Sequence, residues 1–454
     1  MRRTFWTFER VSAALDDQLI ASRPGGDTAI QKVSTDTRTL AKGDLFIALS
    51  GERFDAHEFL GEAVGKGASA VVIARADRAT GLGVPAFVVR DTSLALGALA
   101  HYRRTAWARP VVGIGGSNGK TTTKELTRSA LASRLTVHAT EGNLNNLVGV
   151  PLTLLALPDE ADAAVVEMGV NVPGEMARLN AVAAPDIAVL TSVAEEHLEG
   201  LGSLEGVLRE ESLLLDGASV AIVPSSQPEL VPVAQARVGR VVTAGLDKGD
   251  LCAERWGIGP DGLGWAEVEG VAVRPPVRGA HNLRNAMLAL AVAREMGVSV
   301  VDAARGMAAA SLPGMRLAWE SLGRATLIND AYNASPASMR AALDVLTAID
   351  GGRQRVAVLG PMRELGAHAS RLHEEVARHA LASKVDVLAA IGEMGVAVRA
   401  LAPGDPRVVT AADLEELWPA LEPRLARDGV ILIKASRGVK LERLVPLLSA
   451  WAAR

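Results

Sequence analysis

The fold is decided by residues 111–131, which read VVGIGGSNGKTTTKELTRSAL. The apolar start is typical of a buried strand, and a helical pattern begins at Lys120 after a glycine-rich segment. Glycines let backbone N–H groups converge on phosphate oxygens, the lysine adds positive charge at the terminal phosphates, and a threonine hydroxyl suits Mg²⁺. This strand-loop-helix pattern predicts an ATP-binding phosphate loop made of Gly116, Ser117, Asn118, Gly119, Lys120, Thr121 and Thr122.

The spacing of this loop is a variant of the usual one. The regular pattern has a glycine five positions before Gly119, where this chain has Ile114. The alternative is a glycine-rich turn with an incidental lysine. Because GKTT opens a helix directly after a strand, ATP binding is the favoured interpretation.

Short apolar runs alternate with helical patterns on both sides of the loop, which predicts α/β domains with mostly parallel sheets. At roughly 150 residues per domain, a chain of 454 residues should form about three domains. We expect a small α/β domain over 1–107, a central phosphate-loop ATPase domain over 108–313 and a doubly wound, Rossmann-like domain over 314–454.

Composition excludes several classes of protein. The chain has 48 Lys and Arg against 52 Asp and Glu, a net charge of -4, so it has no basic field for nucleic acid. Its single cysteine, Cys252, can form no internal disulfide, as expected in a reducing cytosol. No apolar run reaches the roughly 18 residues of a membrane span, and the start lacks the apolar core of a signal peptide. We expect a cytoplasmic protein without membrane insertion.

Two candidate metal ligands follow predicted strands. Glu167 ends the run AAVVEMG, and His197 comes after IAVLTSV. In open α/β sheets the carboxyl ends of strands form the ligand-binding edge, and Mg²⁺ prefers oxygen ligands. Taken singly, each residue is more often structural or solvated. Their placement after successive strands favours a Mg²⁺ site.

Eight motifs resemble those of the Mur ligases in order and spacing, over nearly the whole chain. They are GGSNGKTTTKE (115–125), EGNLNNLVGVPLTLL (141–155), VVEMG (165–169), HLEGLGSLEGV (197–207), GAHNLRNAMLAL (279–290), INDAYNASPASM (328–339), VLGPMRELG (358–366) and KASRGVKLE (434–442). A further motif, STDTRTLAKGDLFIALSGERFDAHEF (34–59), together with TTTKE, GNLNN and YNASP, suggests the subgroup. The pattern is most similar to the family members that use ATP to join D-alanyl-D-alanine to UDP-N-acetylmuramoyl-tripeptide through an acyl phosphate. Members that add the third amino acid usually carry a DNPR-like motif, and this chain has none.

The resemblance also implies roles for individual residues. Catalysis falls to Lys120, Glu167 and His197, and Mg²⁺ binding to Thr121, Glu167, His197 and Glu211. The residues expected at the nucleotide are the phosphate loop with Asn282, Arg316 and Asp330. Those expected to bind the other substrates are Asp36, Thr37, Arg38, His57, Asn143, Asn146, Tyr332, Asn333, Lys434 and Arg437. The first domain would hold the uridine end of the substrate, and the last would close on ATP and bind the dipeptide. A monomer is expected.

Some positions depart from the usual pattern of the family: Gly115, Ser192, Glu195, Glu196, Pro361 and Glu211. Glu211 falls where many members carry a lysine that becomes carbamylated, and it offers similar anionic oxygens on a shorter side chain. We therefore expect it to serve the second Mg²⁺, with Glu210 as the competing candidate. The alternative is that LREES is the solvated face of a helix.

Other functions remain open at this point. A phosphate-loop nucleotide switch or phosphotransferase would explain the loop but not the 34–59 and 434–442 motifs. A nucleotide-binding protein that has lost catalysis would explain the positions that depart from the usual family pattern. Folylpolyglutamate synthetase shares the core but needs no uridine-type first domain. The third residue of the peptide substrate is lysine, diaminopimelate or ornithine, and the sequence does not choose among them.

Overall fold

The computed structural model describes residues 4–23, 29–51, 54–349 and 352–454. Glu52 and Arg53, within the 34–59 motif, lie outside the described residues. The chain forms two compact units, and neither is continuous in sequence. One consists of 1–113, 136–169 and 175–186, and the other of 114–135, 170–174 and 187–454.

The bounds of the elements in the first part of the chain are α1 (Phe8–Leu15), β1 (Leu19–Arg23), β2 (Val33–Ser34), β3 (Leu45–Ile47), β4 (Ser50–Gly51), β5 (Phe54–Asp55), α2 (Leu60–Gly65), β6 (Ala70–Ile73), β7 (Ala86–Val89) and α3 (Thr92–Trp107). The middle part contains β8 (Val111–Gly115), α4 (Lys120–Leu131), β9 (Val137–Ala139), α5 (Gly149–Leu155), β10 (Ala163–Glu167), α6 (Glu175–Ala183), β11 (Ile187–Leu190), α7 (Leu198–Leu201), α8 (Leu204–Ser212), β12 (Val220–Pro224), α9 (Leu230–Gln235), β13 (Arg240–Gly245), β14 (Leu251–Cys252), β15 (Arg255–Ile258), β16 (Gly264–Val268), β17 (Val271–Val273), α10 (Ala280–Glu295) and α11 (Val300–Ala308). The last part contains β18 (Ala318–Leu322), β19 (Ala325–Asn329), α12 (Pro336–Ala348), β20 (Arg355–Leu359), α13 (Ala369–Ala382), β21 (Val387–Ile391), α14 (Gly392–Leu401), β22 (Val408–Ala411), α15 (Leu414–Leu421), β23 (Val430–Lys434) and α16 (Leu444–Ala452).

The first unit contains a five-stranded sheet in the order β1-β7-β6-β3-β2. In this sheet β1 runs antiparallel to β7, and the other described strand pairs are parallel. Successive residues of β3 enter different cores, since Leu45 and Ile47 pack in one cluster and Phe46 packs in the other. Both faces of the sheet are therefore covered, as expected for parallel strands. The parallel pair β9 and β10 also belongs to this unit.

In the second unit, β11, β12, β13 and β14 pair in that order and are all parallel. Helix α4 packs against α10 and α11, and Arg134, just after α4, pairs with Asp302 of α11 at 2.8 Å. The strands β15, β16 and β17 form a small antiparallel sheet. This arrangement places the N-terminus of α4, and with it the phosphate loop, at the carboxyl end of a strand.

The last part of the chain forms a six-stranded sheet in the order β18-β19-β23-β20-β21-β22. Five of its strands are parallel, and the edge strand β18 runs antiparallel to β19. The predicted α/β class, with mostly parallel sheets and a doubly wound last part, is confirmed. The β18 hairpin was not predicted. The domain boundaries at 107 and 313 stay predictions.

Candidate active site

Two glycines give the phosphate loop its shape. Gly116 and Gly119 have φ angles of 112° and 90°, which side-chain-bearing residues rarely adopt. A Cβ atom on Gly116 would lie 2.6 Å from Oγ1 of Thr191, and one on Gly119 would lie 2.6 Å from the amide of Asn285. Glycine is therefore required at both positions by the backbone and by the neighbouring side chains.

The segment after β11 holds the loop in place. The N–H of Ser117 donates to the carbonyl of Ser192 at 2.7 Å, and the N–H of Asn118 donates to the hydroxyl of Ser192 at 3.0 Å. The N–H of Ala194 donates in turn to the hydroxyl of Ser117 at 2.8 Å. Ser192, a departure from the usual family pattern, thus has a defined part in shaping the loop.

Lys120 begins α4 and its ammonium group folds back over the loop. Nζ donates to the carbonyl of Gly116 at 2.5 Å and to that of Ser117 at 3.1 Å. It also lies 3.5 Å from Oε1 of Glu196, whose side chain is only 7% exposed. The predicted phosphate-binding cation therefore lies at the loop, beside a buried carboxylate.

His197 lies beside the same carboxylate. Its backbone has a φ of 51°, its Nε2 is 4.0 Å from Oε1 of Glu196, and its Nδ1 hydrogen-bonds Oε2 of Glu364. Burial opposes the charged imidazolium, but the hydrogen bond to Glu364 and the charge of Glu196 outweigh it and raise the pKa of His197. For Glu196, burial is the largest effect and raises the pKa of the carboxyl.

Glu211 is buried against the loop from α8. Its Oε2 accepts a 2.7 Å hydrogen bond from the N–H of Gly116, and the residue is 1% exposed. Burial raises the pKa of Glu211 to about 7, against the opposing effect of Lys120. Glu210 is buried as well and accepts the N–H of Gly174 at 2.9 Å. The interpretation of these two glutamates as a solvated helix face is therefore wrong.

A second group of predicted residues meets at the carboxyl end of β23. Nζ of Lys434 donates to Oδ2 of Asp330 at 2.6 Å and to the carbonyl of Asn333 at 2.9 Å. The guanidinium of Arg316 lies 4.1 Å from the ring centre of Tyr332, a cation–π contact. The sequence patterns placed these five residues at the nucleotide and substrates, and the structure brings them together.

Contacts within the second unit join these two groups. The hydroxyl of Ser335 donates to Oδ1 of Asn118 in the phosphate loop at 2.8 Å. The amide of Asn285 donates to Oδ1 of Asn282 at 3.2 Å, and Asn285 also borders Gly119. Asn282 is therefore connected to the loop through one intervening side chain.

A polar cavity of about 210 Å³ lies between the 196–197 segment and the loops after β19, β20 and β23. Its lining includes Glu196, His197, Ser335, Arg363, Ser436 and Arg437. Among the lining residues, His197, Asn333 and Arg437 were predicted as site residues. Glu364, which also lines the cavity, and Arg363 lie inside the 358–366 motif, so the motif was the available signal, although no role had been attached to them.

The remaining predicted residues belong to the first unit. Oε1 of Glu167 accepts a hydrogen bond from Asn145 at 2.8 Å, and the N–H of Glu167 donates to Thr140 at 2.9 Å. Oδ1 of Asn146 accepts the N–H of Gly149 at 2.9 Å, at the start of α5. Asn143 is exposed in the same loop.

The candidate uridine loops also lie in this unit. Asp36 accepts the backbone N–H of Arg38 at 2.9 Å and pairs with its guanidinium, and Thr37 lies between them. His57 is buried, with Nδ1 2.6 Å from Asp55 and Nε2 accepting the N–H of Ala74 at 2.9 Å. Both ring nitrogens of His57 are therefore engaged within the protein, so it orders this loop.

The described residues offer Mg²⁺ separate carboxylates and no complete set of protein ligands. Among them, no three His, Cys, Asp or Glu side chains converge as a complete ligand set. A buried carboxylate oxygen, Oε1 of Glu196, has no hydrogen-bond partner in this part of the chain. Mg²⁺ takes few protein ligands and keeps several waters, so carboxylates beside a phosphate loop fit it. Thr121, at the first turn of α4, is buried.

The loop, its lysine and the buried carboxylates define an ATP-dependent enzyme of the phosphate-loop class. Three family models match in chain order: the Mur ligase family catalytic domain over 29–104, the Mur ligase middle domain over 114–293 and the Mur ligase glutamate ligase domain over 315–437. The chain therefore belongs to the Mur ligase family. Among the described residues, no helix is long and apolar enough to cross a membrane.

Curated relatives are similar over nearly their whole length. The UDP-N-acetylmuramoyl-tripeptide--D-alanyl-D-alanine ligase of Bacillus subtilis is 35% identical, with 92% of this chain and 93% of the relative covered. The Escherichia coli protein of the same name is 34% identical, with 96% and 97% covered.

Solved structures agree in fold. MurF from Acinetobacter baumannii superposes with a TM-score of 0.90 at 31% identity, covering 98% of this chain and 99% of that one. MurF ligase from Thermotoga maritima, in complex with ADP, has a TM-score of 0.82 at 27% identity, covering 93% and 98%. The three-domain Mur ligase fold expected from the sequence is confirmed.

Proposed function

We propose that this chain joins D-alanyl-D-alanine to UDP-N-acetylmuramoyl-tripeptide with hydrolysis of ATP to ADP and phosphate, in peptidoglycan precursor synthesis. One structural observation carries the proposal. The glycine-shaped loop brings Lys120 Nζ, the buried Glu196 and His197 into one cluster at the start of α4. Relatives that carry this activity in their names are 34–35% identical to the chain over almost all of it.

Lys120 has the central part in phosphoryl transfer. Its ammonium group already lies at the phosphate loop, so it needs only to turn from the carbonyls of Gly116 and Ser117 toward the β and γ phosphates. In transfer of the γ-phosphoryl group to the tripeptide carboxylate, negative charge on the transferring oxygens is stabilised by such fixed cations. The product is an acyl phosphate, which the dipeptide amine attacks to form the amide with loss of phosphate.

Mg²⁺ is the proposed metal, with Thr121, Glu167, His197 and Glu211 as ligand candidates. When bound, it neutralises phosphate charge and orients the ATP. Glu364 orients the ring of His197 through a hydrogen bond to Nδ1. As a result, Nε2 is the ring nitrogen that lies beside Glu196.

The cavity bordered by Arg363, Arg437 and Ser436 is the proposed position for the dipeptide. It is polar and lies beside His197 at the site of phosphoryl transfer. Exclusion of water from this cavity protects the acyl phosphate from hydrolysis. Lys434 donates to the carbonyl of Asn333, which lines this cavity, and pairs with Asp330 at 2.6 Å.

The first domain, 1–107, is proposed to hold the uridine end through Asp36, Thr37 and Arg38, with His57 ordering the adjacent loop. Asn143 and Asn146 would lie along the path of the muramoyl group. We further propose that the protein works as a monomer in the cytoplasm.

The direct test is formation of the product. The chain is incubated with ATP, Mg²⁺, UDP-N-acetylmuramoyl-tripeptide and D-alanyl-D-alanine, and the mixture is analysed by mass spectrometry. Tripeptides ending in lysine, diaminopimelate and ornithine are compared. A pentapeptide product with at least one of them supports the proposal. ATP hydrolysis without any pentapeptide would favour a phosphate-loop switch.

A further inference from the structure

The side chain of Glu196 is a buried carboxylate, and none of the predicted catalytic roles explains why it is there. The residue is 6% exposed, and its Oε1 has no hydrogen-bond partner among the described residues. Its neighbour Glu195 instead pairs with Arg371 at 2.8 Å and is 28% exposed. Burying a carboxylate oxygen without a hydrogen bond costs free energy, so we expect a cation close to it.

Among the described residues, the ammonium group of Lys120 lies 3.5 Å from Oε1 of Glu196, and Nε2 of His197 lies 4.0 Å from the same oxygen. Lys120 is also the group that the proposed function turns toward the phosphates of ATP. Once it turns, Glu196 loses this partner. The buried carboxylate of Glu196 would then lie in a region of low dielectric without the charge of Lys120, which is unfavourable.

The geometry around Glu196 fits a divalent ion. Nδ1 of His197 is engaged with Glu364, so the ring nitrogen available to a metal is Nε2, which lies 4.0 Å from Oε1 of Glu196. Two atoms bound to one Mg²⁺ at about 2.1 Å each lie at most about 4.2 Å apart. Neighbouring ligand atoms of an octahedral Mg²⁺ lie about 3.0 Å apart, so a cation held by both atoms requires them to approach each other by about 1 Å.

We propose that Glu196 is a ligand of a divalent cation, together with His197, and that this cation and Lys120 are alternative partners of the same carboxylate. Lys120 neutralises Glu196 when the site is empty. When Lys120 turns to the phosphates, the metal takes its place. The inference rests on the proposed function for the movement of Lys120, but the metal site itself can be tested without any substrate.

The test is a titration with Mn²⁺ alone, followed by the electron paramagnetic resonance signal of the free ion. Mn²⁺ suits oxygen ligands as Mg²⁺ does. The chains compared are wild type, Lys120→Met, Glu196→Gln, the double variant and Glu195→Gln. Lys120→Met removes the competing cation, so we expect it to bind Mn²⁺ at least tenfold more tightly than wild type. The gain should be absent when Glu196→Gln is added.

Two controls separate this role from a structural one. Glu195→Gln neutralises the adjacent glutamate and should bind Mn²⁺ within twofold of wild type. Glu196→Asp keeps the carboxylate and, combined with Lys120→Met, should keep most of the gain, even if Glu196→Gln lowers the melting temperature. Melting temperatures are measured without metal for each chain.

Equal Mn²⁺ binding by Lys120→Met with and without Glu196→Gln would overturn the proposal, and so would no Mn²⁺ binding by any chain. Either result would leave Glu196 as a fixed counter-ion of Lys120. The titration contains no ATP or peptide, so its failure is distinct from failure of the ligase assay.

Discussion

The carboxylate of Glu211 accepts a 2.7 Å hydrogen bond from the backbone N–H of Gly116, so helix α8 holds the phosphate loop directly. Gly116 also has the φ of 112° on which the loop's shape depends. Glu211 therefore links the loop's conformation to the position where the family resemblance places a carbamylated lysine. It supplies a carboxyl group there that forms without bicarbonate.

Replacement of Glu211 by alanine should affect both stability and metal use. The buried N–H of Gly116 loses its acceptor, so the free energy of unfolding should fall by about 1–3 kcal/mol. The Mg²⁺ concentration for half-maximal ADP release should rise, with ATP affinity at saturating metal nearly unchanged. Chemical denaturation and Mg²⁺ titration of activity measure the two effects.

Glu211→Gln is the matched control, because its amide oxygen can still accept the N–H of Gly116. It should retain most of the stability and still need more Mg²⁺. Added bicarbonate should not change wild-type activity. Wild-type Mg²⁺ dependence in both variants would limit Glu211 to supporting the loop.

Lys120→Ala should lower kcat on the order of 10²-fold or more, because it removes a main charge stabiliser of the transferring phosphoryl group. Steady-state ADP release measures the effect. Lys248→Ala, which alters an exposed lysine of the same unit, should leave kcat unchanged. A near-normal rate for Lys120→Ala would show that the phosphate loop is misassigned.

The acid stability of the chain should depend on His281. Burial, with Lys434 and Arg284, lowers the pKa of His281 from 6.5 to about 4. As pH falls below 6.5 the unfolded chain takes up this proton first, so folding loses stability until the pH nears 4. Over that window the loss should be on the order of 2–3 kcal/mol.

His281→Gln removes this titration, so its unfolding free energy should depend less on pH between 6.5 and 4. Denaturant unfolding at a series of pH values measures the difference. His101→Gln, at an exposed position of α3, should keep the wild-type profile. An identical profile for His281→Gln and wild type would contradict the assignment of a neutral, partly buried imidazole.

Arg38→Ala tests the proposed uridine loop. The Arg38 side chain is 86% exposed and, among the described residues, forms its ion pair with Asp36, so its loss should change the melting temperature by no more than about 2 °C. The KM for the UDP-linked substrate should nevertheless rise about tenfold, because a charge contact to phosphate is lost. Arg78→Ala is the exposed control. An unchanged KM would indicate that Asp36 and Arg38 stabilise their own turn and do not bind the substrate.

Much of the fold follows from local patterns. Val111–Gly115 and Lys120–Leu131 form the strand and helix that the apolar run and the glycine-rich segment predict. The antiparallel strand β18 was missed because its short AWESL run, half-exposed, has no strong apolar signal and depends on pairing with β19.

The site was less predictable, because its contacts join distant segments. Glu195 and Glu196 are adjacent and identical, yet one pairs at the surface with Arg371 and the other is buried beside Lys120. The same holds for Glu211, whose burial is possible because Gly116, 95 positions away, supplies an N–H. No local pattern carries that information. The individual roles given to the site residues stay predictions.

In the proposed mechanism, phosphoryl transfer at the loop around Lys120 drives the joining of the tripeptide substrate to the dipeptide. The most direct measurement is the rate of ADP release with ATP and Mg²⁺, with UDP-N-acetylmuramoyl-tripeptide and D-alanyl-D-alanine each added alone and then together. Acyl phosphate formation needs the first and turnover needs the second, so rapid release is expected only when both are present. Full-rate ADP release in the absence of either substrate would contradict the account.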